Sequence, residues 1–251
     1  MFKPDVIKVE HWRCPKENGP AILTMPNIPR PLHGLCPRTI LTKSTWDFMR
    51  KKCYMDAGYK CEICGEDLSD GRPESHELYS YEYTTQTAVF ARTICLCKKC
   101  HGYFIHSGRA LTLYKQGNPL FTKERLMEGV EQGFTIINSY NEAHPLDEPL
   151  RVYSAILDYA KQPELKEEME ALIQKYNIKF YTIPEKWWNK KNWGEWKLVI
   201  GNKFYRTPYG SMQDWQSAMD KKSQEEGDAH TLKDPFSGDT YDAVRDLLKK
   251  G

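Results

Sequence analysis

The sequence predicts an α+β fold stapled at its centre by zinc, with additional helices and a C-terminal β-hairpin. Three observations carry this. Two Cys-x-x-Cys pairs, Cys61/Cys64 and Cys97/Cys100, bracket the centre of the pattern. Between them lie two β-prone runs, "ESHELYSYEY" and "AVFARTICL", parted by the polar "TTQT". Helical periodicity precedes the first pair and follows the second.

The elements follow in order. Residues 13 to 38 are proline-dense and aperiodic, which predicts an extended arm rather than a packed element. "KSTWDFMRKKCYMDAGYK" predicts a helix capped by Ser44 or Thr45, with Trp46, Met49, Cys53 and Ala57 on one face and Gly58 as its stop. "CEICGEDL" then has the tight turn of a zinc knuckle. The second β-run ends in Cys97-Lys-Lys-Cys100-His101, from which another helix starts.

Beyond residue 115 the pattern is helical. Thr122 is placed to cap "TKERLMEGVEQ", and "LRVYSAILDYAKQ" sets Val152, Ile156 and Tyr159 on one face. Pro163 suits the first turn of a helix reaching Tyr176, with Leu165, Met169, Leu172 and Ile173 inward. "EWKLVIGNKFYRT" alternates around Gly-Asn and reads as a hairpin. "SMQDWQSAM" reads as a short helix, "KKSQEEGDAHTLKDPFSGD" as loosely ordered, and "YDAVRDLLKK" as a last helix. The expected organisation is an arm (1–43), a zinc-held core (44–115), a helical region (116–180), a Trp-rich hairpin region (181–220) and a tail (221–251).

Composition narrows the setting. The chain has 251 residues, 40% hydrophobic and 28% charged, which is ordinary for a globular protein. No apolar run approaches the roughly 18 residues of a membrane span, and the first residues lack a signal-like apolar stretch. A cytoplasmic location with no membrane partner is expected. Net charge is only +2, so nucleic-acid binding must rest on local patches. Residues 92 to 115 carry Arg92, Lys98, Lys99, Arg109 and Lys115 with no acid among them. Of eight cysteines, the four in the two pairs have the spacing of a closed four-cysteine zinc site.

Residues 59 to 109, "YKCEICGE…PESHELYSYEY…TICLCKKCHGYFIHSGR", resemble the HNH endonuclease family in its zinc-knuckle form. "PRPLHGLCPRTIL" and the Trp-bearing helix after it resemble the lead-in of bacteriophage HNH proteins, and "EWKLVIGNKFY" resembles a hairpin late in those chains. The resemblance implies a ββα-metal core that hydrolyses DNA with one divalent ion (Mg²⁺, Mn²⁺, Ni²⁺ or Zn²⁺) beside a structural Zn²⁺, acting in a host cytoplasm if phage-encoded. His76 would activate water, and an ion on His101, and on His106, would stabilise the leaving group. Cys61, Cys64, Cys97 and Cys100 would hold the zinc, while Arg109, Lys98 and Lys99 would contact DNA.

Three departures shape this expectation. The string Glu74-Ser75-His76-Glu77 admits two alignments. In one His76 is the base and Ser75 stands in the metal position; in the other His76 is a ligand and Glu77 the base. His101 and His106 stand at i and i+5, about 140° apart on a regular α-helix. Either a bulge at Gly102 realigns them or His106 is no ligand. No asparagine lies between His76 and Cys95, so Thr84, Thr85 or Gln86 would have to substitute.

Other patterns have plainer readings beside sharper ones. His11, Cys14, His33 and Cys36 have the spacing of a second zinc site, though in a loose arm such residues more often mean nothing. Trp187, Trp188, Trp193 and Trp196 alternate with lysines as in single-strand-binding surfaces, while core packing is the commoner cause. The rival function is a zinc-containing nucleic-acid-binding module without catalysis. A redox role for the Cys pairs is a third.

Overall fold

Proline begins many of the turns in the N-terminal stretch because its fixed φ suits the first position of a helical turn. In the computed structural model, which describes residues 3–71, 73–184 and 190–218, Pro20 and Pro31 each sit in the first turn of a 3₁₀ segment, and Pro37 in that of helix α1 (Pro37–Ile40). The apolar residues between the prolines are fully sequestered: Ile22, Leu32 and Leu35 are 0% exposed. The expected extended arm is therefore core structure. Its prolines supply the turns, and its aliphatics supply the burial that local periodicity does not reveal.

The remaining elements are β1 (Val6–Lys8), β2 (His11–Trp12), α2 (Lys43–Asp56), β3 (Glu74–Glu82) and β4 (Thr87–Leu96). A π-turn (Lys99–Ile105) follows, then α3 (Ser107–Lys115), α4 (Lys123–Ala143), β5 (Val152–Tyr153), α5 (Pro163–Lys175) and β6 (Phe180–Thr182). β7 (Lys197–Ile200) and β8 (Lys203–Arg206) close the series, with a short helix over 212–218. The fold is mixed α+β. Trp187, Trp188 and the expected terminal helix lie outside the described residues. Among the described residues no helix is long and apolar enough to cross a membrane.

Contacts divide the chain into two units that interleave in sequence: residues 1–27, 52–76 and 93–183 form the first, and 28–51, 77–92 and 184–251 the second. In the first, β6 is the middle of a parallel three-stranded sheet, with Val6 and Val152 both opposite Phe180. α4 and α5 carry its core. Thr122 caps α4 by accepting the Arg125 N–H, and Pro163 opens α5 with Leu165, Met169, Leu172 and Ile173 buried, as the periodicity predicts. Residues 152–161 differ from the single helical face expected of them. They form β5 and a 3₁₀ helix, yet Val152, Ile156 and Tyr159 are buried as expected.

In the second unit β4 is extended by β7 in parallel and β8 in antiparallel pairing, from Lys197 opposite Arg206 to Ile200 opposite Lys203. The two residues between them include Gly201 at φ +60°, the left-handed conformation a tight Gly-Asn hairpin needs. Trp193 and Trp196 are 1% and 0% exposed. These two tryptophans are core, not a base-stacking surface. α2 is capped by Thr42, whose Oγ1 accepts the Thr45 N–H, rather than by Ser44 or Thr45.

Candidate metal centre

The knuckle is built by backbone. Cys61 N–H donates to Glu66 O at 2.8 Å and Gly65 N–H to Cys61 O at 2.8 Å, with Gly65 at φ +76°. This tight turn presents Cys61 and Cys64 together. The Glu62 side chain accepts the Cys95 N–H and its own N–H donates to Cys95 O, which locks the knuckle to the end of β4. The Sγ atoms of Cys61, Cys64, Cys97 and Cys100 all lie within 4.8 Å of one another. Cys64 and Cys97 are 3.7 Å apart, and four thiolates at the Zn–S distance of about 2.3 Å stand about 3.8 Å apart on a tetrahedron. The donor set fits zinc.

Hydrogen bonding from Cys100, Cys64 and Cys97 holds the Cys61 thiol well below its ordinary range. Cys95, fully buried beside it, is not part of the tetrad. Burial, then the charges of Cys53, Glu62 and Cys61, push its thiol up to about 12.

The second cluster depends on an irregularity in the helix that follows. The His106 N–H donates to His101 O at 3.0 Å, an i→i+5 bond of π type. Adding one residue to the turn brings position i+5 over position i. The realignment the sequence left open is present, and the bulge is a whole π-turn rather than a local defect at Gly102.

Tight packing holds that turn. A Cβ on Gly129 of α4 would meet Tyr103 Cβ at 2.5 Å, and one on Gly133 would meet Phe104 at 2.2 Å. The two rings therefore press directly on the α4 backbone. The Tyr159 hydroxyl donates to Tyr103 O at 3.0 Å inside the core. With Tyr103 and Phe104 committed to that side, His101 and His106 meet His76 of β3 instead.

Glu74 and His76 occupy alternate positions of β3 and so share a face. His76 is 5% exposed. His76 Nδ1 lies 3.1 Å from His101 Nε2, and His101 Nδ1 hydrogen-bonds Glu74 Oε2. The rings of His76 and His106 are 5.0 Å apart, and those of His101 and His106 4.5 Å. One nitrogen from each of the three histidines lies within 4.8 Å of the others. Two nitrogens 3.1 Å apart can both be roughly 2.05 Å from one ion, with an angle of about 100° at the ion. The triad can hold a metal, and its donor set of imidazoles suits a divalent transition ion.

Glu74 is not among the residues the sequence singles out, and the carboxylate that is, Glu77, lies elsewhere. Strand alternation turns Glu77 to the opposite face of β3. There its charge, second to burial, helps push the Cys36 thiol up to about 12. A signal for Glu74 exists in its two-residue separation from His76.

Burial raises the Glu74 carboxyl, but the His101 hydrogen bond and the charges of His101, Lys98 and Arg109 outweigh it and hold the group below the ordinary carboxylate range. Lys98 and Arg109 thus stand within electrostatic reach of the triad. Lys99 does not share that role. Its Nζ pairs with Glu128 at 2.5 Å, which raises its pKa.

His11, Cys14, His33 and Cys36 gather into no third cluster among the described residues. His33 packs edge-on to Trp215 instead, and the Cys36 backbone N–H donates to Thr39 Oγ1 at the start of α1. Gln86, one substitute weighed for the missing asparagine, is buried at φ +50°, and its carbonyl accepts the Lys197 N–H.

A closed four-cysteine cluster beside a histidine triad is compatible with a zinc-containing HNH-type protein, and no family model, curated protein or solved structure matches this chain.

Proposed function

We propose that the protein is a metal-dependent endonuclease of the HNH type that hydrolyses phosphodiester bonds in DNA. One observation carries the reading: His76 Nδ1 and His101 Nε2 converge at 3.1 Å with Glu74 behind His101. A strand of a hairpin and the turn after it thereby build an open imidazole site beside a closed sulfur one. An ion on His76, His101 and His106 would supply a Lewis acid for the phosphoryl oxygen, an acidified water and a counter-charge for the leaving oxygen.

The chain's own groups do the rest. The Glu74 carboxylate accepts the Nδ1 proton of His101, which fixes the tautomer and leaves the Nε2 lone pair facing His76. Lys98 and Arg109 neutralise the phosphates flanking the scissile one. In this reading His76 is a ligand, not the base, because its Nδ1 sits where a second ligand of the same ion would.

A non-catalytic DNA-binding module is the second reading. It is favoured by the position of Glu77, one of the two candidate bases, on the opposite face of β3 from His76.

Supercoiled plasmid with Mg²⁺ or Mn²⁺ tests the proposal. The native protein is expected to convert it to open or linear form, and His76→Ala to lose this conversion, because the ion would lose one of its three ligands. Ion titration of the same variant decides the role of His76. Lost ion affinity marks a ligand, whereas retained affinity with lost cleavage restores the base. Binding of plasmid by the native protein without cleavage in either metal would replace the nuclease by the binding module.

A further inference from the structure

The outer face of the β4–β7–β8 sheet takes no part in the reaction proposed above. Its register arranges side chains in rows. Val89, Val199 and Phe204 stand abreast across the three strands, and Thr87, Lys197 and Arg206 form the next row on the same face. Ala88 and Leu198, on the other face, are 1% and 0% exposed, so the first face is the outward one. Phe204 is 62% exposed on it and Val89 40%. Among the described residues neither Lys197 nor Arg206 is engaged by a carboxylate. Glu82, at the end of β3, accepts a hydrogen bond from Thr84 at 2.6 Å.

We propose that this face binds single-stranded nucleic acid, with a base stacked on Phe204 and the neighbouring phosphates on Lys197 and Arg206. The charge pattern selects this occupant. An aromatic ring beside two cations that no carboxylate among the described residues engages offers a π-face and counter-charge together, which an unstacked base and its phosphates satisfy at once. A duplex keeps its bases stacked and would leave the ring unused.

A second copy of the chain fits poorly. One Phe and two Val fall far short of the roughly 800 Å² per partner that a stable interface buries. A two-fold contact would also set the Lys197/Arg206 row against itself. Lys203 and Arg206 on the edge strand oppose strand addition as well.

The test is fluorescence anisotropy of a labelled oligo-dT with the full chain, without added divalent ion, at two salt concentrations. Phe204→Ala is expected to weaken binding about tenfold or more, and Phe204→Tyr to restore it. Arg206→Gln is expected to weaken binding and lower the salt slope by about one. Unchanged melting and zinc content would show that the variants fold.

Native-like binding by Phe204→Ala overturns the inference. So does a shift from dimer to monomer in sedimentation of that variant, which would assign the face to a second copy. The outcome is separable from the hydrolysis. A chain that binds through Phe204 but nicks nothing keeps this inference and loses the nuclease, and nicking without Phe204-dependent binding does the reverse.

Discussion

Cys97 and Cys100 close the sulfur cluster, and one residue later His101 turns to a different cluster made of nitrogen. The first is nearly sealed, with Cys61, Cys97 and Cys100 each at most 2% exposed. In the second, the His101 side chain keeps 14% exposure and Glu74 38%. Four thiolates saturate a tetrahedral ion and leave it nothing to do but hold chain together. Three imidazoles leave positions open. In the proposed reading the same short stretch would serve both stability and chemistry, and the difference would lie in donor number rather than in location.

The largest effect should come from breaking the sulfur side. Cys100→Ser is expected to abolish tetrad zinc and unfold the region around it, since structural zinc contributes on the order of 10 kcal/mol to such folds. Zinc content by atomic emission and far-UV circular dichroism check this. If the variant keeps its zinc and its melting temperature, the sulfur cluster is not the staple.

On the nitrogen side the effect should be smaller and confined to the ion. Glu74→Gln is expected to lower triad ion affinity about 10–100-fold with the tetrad zinc retained, because the amide orients His101 less firmly than a carboxylate. Calorimetric titration with Mn²⁺ or Zn²⁺ reads it, alongside the melting curve.

His33 offers a third kind of imidazole, one that belongs to no metal cluster among the described residues. Burial lowers its pKa to about 4, opposed by a backbone hydrogen bond at Ile28 and aided by the Arg30 charge. The folded state keeps it neutral, while the unfolded chain takes up a proton near pH 6.5. Its contribution is thus full above pH 6.5 and is lost as pH falls toward 4. About 1–2 kcal/mol should be missing at pH 5 relative to pH 7. Urea midpoints at the two values measure this, and His33→Gln should flatten the dependence.

The smallest effect sharpens the geometry. Deleting Gly102 gives the two helix histidines i,i+4 spacing, which shares a face on a regular α-helix. Triad ion affinity is expected to stay within about tenfold of native, because the extra residue and the π-turn compensate each other. A collapse of ion binding on deletion would mean that the π-turn does more than realign His106.

Much of the site is legible in the residues. The four-cysteine set follows from spacing because a closed tetrahedral site tolerates few patterns. His76 and His101 follow from their place beside it. The π-turn is visible only as a spacing that does not fit, since the force holding it comes from Gly129 and Gly133, far along the chain and unreadable as partners of Tyr103 and Phe104.

Glu74 is harder to read, because the adjacent pairs around His76 compete with the two-residue period of a strand. In the fold, α5 and the β7–β8 hairpin are legible from local pattern. The burial of residues 20–35 is not, because isolated aliphatics between prolines carry no periodicity, and tertiary contacts alone decide their fate. Trp193 and Trp196 show the same limit, for sequence cannot distinguish a stacking surface from a packed one.

The hairpin has one consequence for how this chain can be divided. β3 passes from one contact unit to the other between His76 and Glu77, and β4 passes back between Arg92 and Thr93. No single cut, whether by a protease or by genetic recombination, frees either unit without severing a paired strand. Each unit is therefore assembled from separate stretches of the sequence, and an intact hairpin is what joins them along the chain.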